Sequence, residues 1–189
     1  MAHPTTYRLK ICGLTRELPI IPVSDSLAIA SFVILGDTQL IETSAEALAK
    51  QLALRLDMSQ TAIDYLVCPE AKAVPLAHAM ARLMGLDYIV VRKSVKAYMR
   101  DPRIVSFSAI TTAGEQRLVL DGRDAQALTG RNVIIVDDVI STGGSLRALE
   151  QLLAPLNCGI AAKAAILLEE GGYRGDDLIY LEKLPVFST

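Results

Sequence analysis

One stretch constrains the chain more than any other: NVIIVDD at 132–138, followed by VISTGGS at 139–145. Four apolar residues in a row, Val133 to Val136, are what a central strand needs when both faces of its sheet are covered, the usual state of a parallel sheet. Two adjacent acids, Asp137 and Asp138, close the run. Val139 leads into a hydroxyl- and glycine-rich tight turn, Ile140-Ser141-Thr142-Gly143-Gly144-Ser145, and a helix is expected from about Gly144 to Leu156. A strand ending in carboxylates and turning through glycines into a helix has few places to sit other than the carboxyl edge of an α/β sheet.

The rest of the chain agrees. YRLKI, LPIIPV and LAIASFVIL near the start are expected as short extended segments broken by Pro19, Pro22 and Gly36. A helix is expected over Glu42–Leu56, with Thr43 or Ser44 as its cap and Leu48, Leu52, Leu54 and Leu56 at helical spacing. IDYLVC (63–68) is expected as a strand, and PEAKAVPLAHAMARLMG as a helix that begins near 74–76 because of Pro75 and stops at Gly85. DYIVV (87–91) is a second strand. IVSFSAI and QRLVL flank the turn TTAGE and predict an antiparallel hairpin. IAAKAAILL (160–168) and DLIYLEKL (177–184) supply the last strands. The alternation of strand and helix predicts an α/β fold with a mostly parallel sheet, and no internal repeat or linker divides the 189 residues, so one domain is expected over 1–189, with strands at about 1–40 and a core at about 42–187.

The chemistry of the 137–145 stretch follows from its residue types. Gly143 and Gly144 let the backbone approach a ligand where a side chain would block it. Free N–H groups at a helix start, with the Ser and Thr hydroxyls, cradle a phosphate dianion. Two carboxylates are acceptors, suited to vicinal ribose hydroxyls. Ordinary helix-capping chemistry explains one Asp and one Gly, not two acids before a double-glycine, hydroxyl-rich turn. Neither GxxxxGK[ST] nor GxGxxG is present in this stretch.

The strand, Asp137-Asp138, Val139 and Ile140 to Ser145 resemble the signature of type I phosphoribosyltransferases, which bind phosphoribosyl pyrophosphate, and the resemblance runs from about residue 42 to 187. It implies that family's fold, with a small hood and a flexible hairpin loop. Two further motifs resemble the adenine phosphoribosyltransferases. CPEAKAVPLA (68–77) is similar to their pyrophosphate loop, with Glu70, Ala71, Lys72 and Ala73 where a Glu-Ala-Arg-Gly run stands; Lys72 keeps the charge and loses the bidentate fork. VVRKSVKAY (90–98) is similar to their strand ending in Arg-Lys followed by a third cation, which places Arg92, Lys93 and Lys96 around the pyrophosphate. Tyr98 and residues 97–115 correspond to the loop that closes over the site during turnover.

The resemblance implies displacement of pyrophosphate from the sugar's carbon 1 by a base nitrogen, with catalysis resting on position and charge: Lys72, Arg92 and Lys96 on the leaving group, Asp137 and Asp138 near the ribose. Mg²⁺ is implied, held mainly by the substrate rather than a protein cage. Glu115 or the Glu169-Glu170 pair is the candidate acid toward the base. The implied partners are phosphoribosyl pyrophosphate and a purine base, adenine first. The acceptor stays open between adenine, hypoxanthine, guanine, xanthine and another acceptor, because the Phe-Pro-rich hood of adenine enzymes is replaced by LPIIPVSDSLAIA. A homodimer is implied by analogy, and a non-catalytic regulator that senses phosphoribosyl pyrophosphate is the reading from another class.

Composition sets the remaining bounds. Nineteen basic against twenty-one acidic residues leave a formal net charge of -2 and no basic tract, which argues against nucleic acid as partner. Cys12, Cys68 and Cys158 lack metal-ligand spacing, and the N-terminus lacks an apolar signal core, so a cytoplasmic protein is expected. His78, inside an apolar helix, is expected to pack in the core, and His3 near the terminus is given no role.

Overall fold

The computed structural model describes residues 5–56, 62–108 and 115–188. Its centre is a five-stranded, wholly parallel sheet in the order β10-β9-β8-β4-β5, built from β4 (Tyr65–Pro69), β5 (Asp87–Val91), β8 (Asn132–Ile140), β9 (Gly159–Glu169) and β10 (Leu178–Leu184). Leu66 and Cys68 of β4 and Ile134 and Val136 of β8 enter one hydrophobic core, whereas Val67, Val133 and Ile135 enter the core on the opposite face. Both faces are therefore buried, and the continuous apolar runs of these strands follow from that.

The helices divide between the faces. α1 (Thr38–Arg55) and α2 (Val74–Met84) share the first core; α3 (Gly122–Leu128) and α4 (Gly144–Leu153), extended by a 3₁₀ turn at Ala154–Leu156, share the second. α2 begins at Val74 with Pro75 in its first turn and ends at Gly85, which takes a left-handed φ of 68°, as the sequence implies. α1 starts four residues before the expected Glu42, because Asp37, not Thr43 or Ser44, accepts the first-turn hydrogen bond from Leu40 N–H at 3.1 Å. Arg16 holds that cap from another strand, 2.6 Å from Asp37 Oδ2. Of the leucines read as the apolar stripe, Leu48 and Leu52 are fully buried and Leu54 faces solvent.

The N-terminal segment forms a four-stranded antiparallel sheet, β1-β2-β3-β11, from β1 (Thr6–Ile11), β2 (Leu14–Ser24), β3 (Leu27–Ala30) and β11 (Val186–Ser188). The expected breaks at Pro19 and Pro22 do not occur. β2 runs through both prolines: Pro19 uses its carbonyl, accepting from Ser31 N–H at 2.8 Å, and the register shifts between Pro22 and Ser24. Leu9, Ile11 and Leu18 of this sheet are buried in the same core as α1 and α2.

The expected hairpin is present as β6 (Arg103–Ser108) paired antiparallel with β7 (Glu115–Leu120), packed against α4. Its turn, 109–114, lies outside the described residues, as do His3 and the Glu115 side chain. The hairpin is tied to the sheet by a reciprocal pair of backbone bonds, Arg92 N–H to Val119 O at 2.8 Å and Val119 N–H to Arg92 O at 2.7 Å. His78 corrects expectation: it is exposed on α2, edge-on to Tyr88 with ring centroids 5.7 Å apart. No helix among the described residues is long and apolar enough to cross a membrane.

Candidate active site

The strand order reverses between β4 and β8. From β4 the chain moves outward to β5; β8 then returns to the other side of β4 and the chain moves the opposite way to β9 and β10. The loop after β4 leads to α2 on one face and the loop after β8 to α4 on the other, so the two loops part above the carboxyl ends of adjacent strands. Such a switch point opens a crevice. Here it is a cavity of about 350 Å³ lined by Glu70, Ala71, Lys72, Ala73 and Lys93 on one side and by Asp137, Asp138, Val139 and Ser141 to Ser145 on the other.

The acidic pair departs from the expected strand boundary. β8 does not stop at the acids but runs on to Ile140, with Asp137 in register with Ala165, Val139 with Leu167 and Ile140 with Leu168 of β9. Ile140, expected among the substrate contacts, is 1% exposed and belongs to the core. The tight turn is thus shorter than expected, Ser141 to Gly143, with Gly143 at φ 81°.

Asp137 and Asp138 are both buried at the cavity wall. Asp137 Oδ1 accepts from Asp138 N–H at 2.9 Å and Oδ2 from Ser145 Oγ at 3.4 Å. Burial, then the charge of Asp138, push the Asp137 carboxyl well above the ordinary carboxylate range, opposed by Lys72. Asp138 Oδ2 lies 3.1 Å from Lys72 Nζ, a charge contact, and among the described residues this buried oxygen has no aligned hydrogen bond. An acceptor in that state suits an incoming hydroxyl or a metal-bound water, which is the fit that an Mg²⁺–sugar phosphate ligand requires.

The basic residues separate. Lys72 and Lys93 face the cavity. Lys72 also donates to the Phe32 carbonyl at 3.4 Å, linking the site to the segment after β3. Glu70 turns toward the end of β5: its Oε2 accepts from Lys93 N–H at 3.0 Å and lies 3.4 Å from Arg92 Nε. Arg92, Lys96 and Tyr98 do not line the cavity. Lys96 Nζ donates to Ser94 Oγ at 2.8 Å, and Tyr98 is exposed beside a separate depression that Arg92 shares. Phe107, Gln116, Arg117 and Leu118 line the cavity from the hairpin and were not singled out in the sequence: three of them are consecutive, so no two-residue alternation marks them as one face, and only the folded hairpin brings them to the crevice. Glu169 ends β9 and Glu170 follows it, its N–H bonding Leu184 O at 2.9 Å; neither lines the cavity.

With this geometry stands a match of residues 34–185 to the phosphoribosyl transferase domain. The chain belongs to that family. It is similar to HGPRTase-like protein 3 of Haloterrigena turkmenica, 31% identical over 131 residues that make up 69% of this chain and 66% of that protein. It is equally similar, 31% over 131 residues, to the adenine phosphoribosyltransferase of Dichelobacter nodosus, over 69% of this chain and 71% of the relative. The solved adenine phosphoribosyltransferase of Rhodothermus marinus shares the fold, with a TM-score of 0.65 over 95% of this chain and 94% of that one at 18% identity. The expected type I phosphoribosyltransferase fold is therefore the fold observed. The match spans 66%, 52% and 42% of the lengths of three relatives, the last a purine biosynthesis transcriptional activator of Lactococcus lactis.

Proposed function

We propose that this phosphoribosyltransferase-family chain transfers the 5-phosphoribosyl group from phosphoribosyl pyrophosphate to a purine base, releasing pyrophosphate, with adenine the favoured acceptor. The observation that carries the reading is the cavity at the switch point, where a buried acidic pair and a double-glycine loop face a lysine-bearing loop across a space of about 350 Å³. The Ser141–Ser145 turn and the start of α4 offer N–H and hydroxyl donors to a 5-phosphate. Asp138, whose Oδ2 has no aligned hydrogen bond, accepts from the ribose hydroxyls, and Asp137 holds the strand end in shape behind it.

As the bond from carbon 1 to the pyrophosphate breaks, negative charge gathers on the leaving group. Lys72 and Lys93 stand where they meet that charge, and Lys72 must leave Asp138 to do so. Mg²⁺ arriving with the substrate would add to this neutralisation, with Asp138 placed to accept from a water bound to it. Arg92 and Lys96 lie away from the cavity wall and act by swinging their side chains toward the leaving group once the substrate is bound. Purine salvage in the cytoplasm, by a homodimer, completes the reading.

A regulator that senses phosphoribosyl pyrophosphate is the second reading, favoured by the similarity to the Lactococcus activator. One assay separates them: the protein is incubated with phosphoribosyl pyrophosphate, Mg²⁺ and adenine, hypoxanthine, guanine or xanthine, and nucleotide and pyrophosphate are quantified. Nucleotide from adenine supports the proposal, nucleotide from another base corrects the acceptor, and silence with measurable sugar-phosphate binding favours the sensor.

A further inference from the structure

Behind the double-glycine loop, on the side away from the cavity, lies the turn between β9 and β10. Tyr173 of that turn donates its backbone N–H to the Ser141 carbonyl at 2.8 Å. Its ring lies against Gly143, where an added Cβ would stand 2.6 Å from Tyr173 Cδ2; on the other side, a Cβ on Gly175 would collide with the phenol. The ring is thus slotted between two glycines, one of which is cavity wall. Gly143 meets two demands together, a left-handed φ and a flat surface for the ring.

The phenol is anchored. Its hydroxyl donates to Asp177 Oδ1 at 2.8 Å and accepts from Lys163 Nζ at 3.1 Å. Lys163, in β9 and 6% exposed, also pairs with Asp177 at 2.5 Å and with Glu150 of α4. Arg147 of α4 donates to the Thr142 carbonyl at 3.0 Å. The contacts close a circuit: loop to turn through Tyr173, turn to α4 through Lys163, α4 to loop through Arg147. Burial opposes the Lys163 charge, but its bonds to Asp177, Glu150 and Tyr173 outweigh this and raise its pKa.

We infer that Tyr173, anchored by Lys163 and Asp177, is a positioning residue that holds the Ser141–Gly144 loop in the shape that receives a 5-phosphate. The inference rests on reading that loop as the phosphate cradle. Tyr173 does not line the cavity and acts through the loop it backs. Position is what it supplies: a misplacement of about 1 Å, caused from outside the site, costs a reaction about a hundredfold in rate.

Calorimetric titration with two probes, ribose 5-phosphate and magnesium pyrophosphate, tests it. Tyr173→Ala is expected to weaken ribose 5-phosphate about tenfold and leave pyrophosphate within about twofold, with KM for phosphoribosyl pyrophosphate rising in parallel. Tyr173→Phe keeps the ring on Gly143 and loses the anchor, so it is expected to fall between Tyr173→Ala and the unaltered protein. Thr142→Val and Ser145→Ala report on the cradle separately. If the unaltered protein binds no ribose 5-phosphate, the cradle reading fails. If it binds, and the cradle variants lose it while Tyr173→Ala does not, only the Tyr173 inference fails. Equal loss of both probes also overturns it, since that is a general defect. Should Tyr173→Ala not fold, Tyr173→Phe and Asp177→Asn decide, and ribose 5-phosphate affinity unchanged in both refutes the anchor.

Discussion

Replacing Lys163 by Met removes a buried positive charge while keeping an unbranched stem of similar volume. The ammonium is the common partner of Glu150, Asp177 and the Tyr173 hydroxyl. Without it two carboxylates face one another with no cation between them. Breaking a fully buried pair costs about 3–5 kcal/mol. Here the Glu150 and Asp177 side chains are 33% and 49% exposed, and solvent screens what remains, so about 2 kcal/mol is expected. For a chain in this size range that lowers Tm by about 4–8 °C. The pH dependence identifies the cause. Burial raises the Asp177 carboxyl, but the hydrogen bonds from Lys163 and Tyr173 outweigh it and hold the carboxyl below its ordinary value of 3.8. A depressed carboxylate contributes stability that is present above its unfolded pKa and lost as pH falls through the folded one. Lys163, raised above 10.5, contributes fully below that value. The deficit of Lys163→Met is therefore expected to be constant from about pH 5 to 9 and to shrink below about pH 4. Thermal unfolding from pH 3 to 9 measures it. A Tm loss under about 2 °C at pH 7, or one that does not diminish at pH 3, refutes the reasoning.

Asp137→Asn is expected to raise Tm at pH 7 while abolishing turnover. The folded carboxyl titrates above 3.8, so ionisation costs stability progressively as pH rises, and the amide resembles the protonated form; the gain vanishes near pH 4, and a variant less stable than the parent at pH 7 contradicts the account. Burial, then the charge of Asp137, push the Cys68 thiol up to about 12, whereas Cys12 is exposed. Iodoacetamide at pH 8 is expected to label Cys12 in the native protein and Cys68 only after denaturation, read by peptide mass; native labelling of Cys68 as fast as Cys12 overturns the assignment.

What the chain disclosed in advance was what depends on local periodicity and residue type. β4, β5, β8 and β9 are buried on both faces, and burial on both faces leaves a near-continuous apolar run, broken in β9 by Lys163. Pro75 and Gly85 marked the ends of α2. Contacts distant in sequence decided the rest. β8 runs past the acids through Val139 and Ile140 because β9 continues alongside it as far as Leu168. α1 starts where Asp37 is steadied by Arg16, twenty-one residues earlier. α3 has seven residues, too few to show a helical stripe, and its marker was the cap at Asp121, which accepts from Arg123 N–H at 2.9 Å. β11 has three residues and exists by pairing with β3. At the site, the Asp137–Ser145 loop and Lys72 were legible because their chemistry is local. Tyr173 was not, since only the folded chain sets it between Gly143 and Gly175. Lys163 left a trace: a cation inside IAAKAAILL must find partners when the strand is buried.

The division of the helices between two cores has a consequence for how such a site changes over generations. The loop carrying Lys72 leads into α2 and rests on one core, with Leu76 and Met80; the loop carrying Gly143 leads into α4 and rests on the other, with Leu146 and Leu149. A parallel sheet stands between them as a partition. Repacking on one side is felt by one half of the crevice, and substitutions in separate neighbourhoods combine nearly additively. The grip on each end of a ligand is therefore free to drift under its own selection, without a compensating change across the sheet.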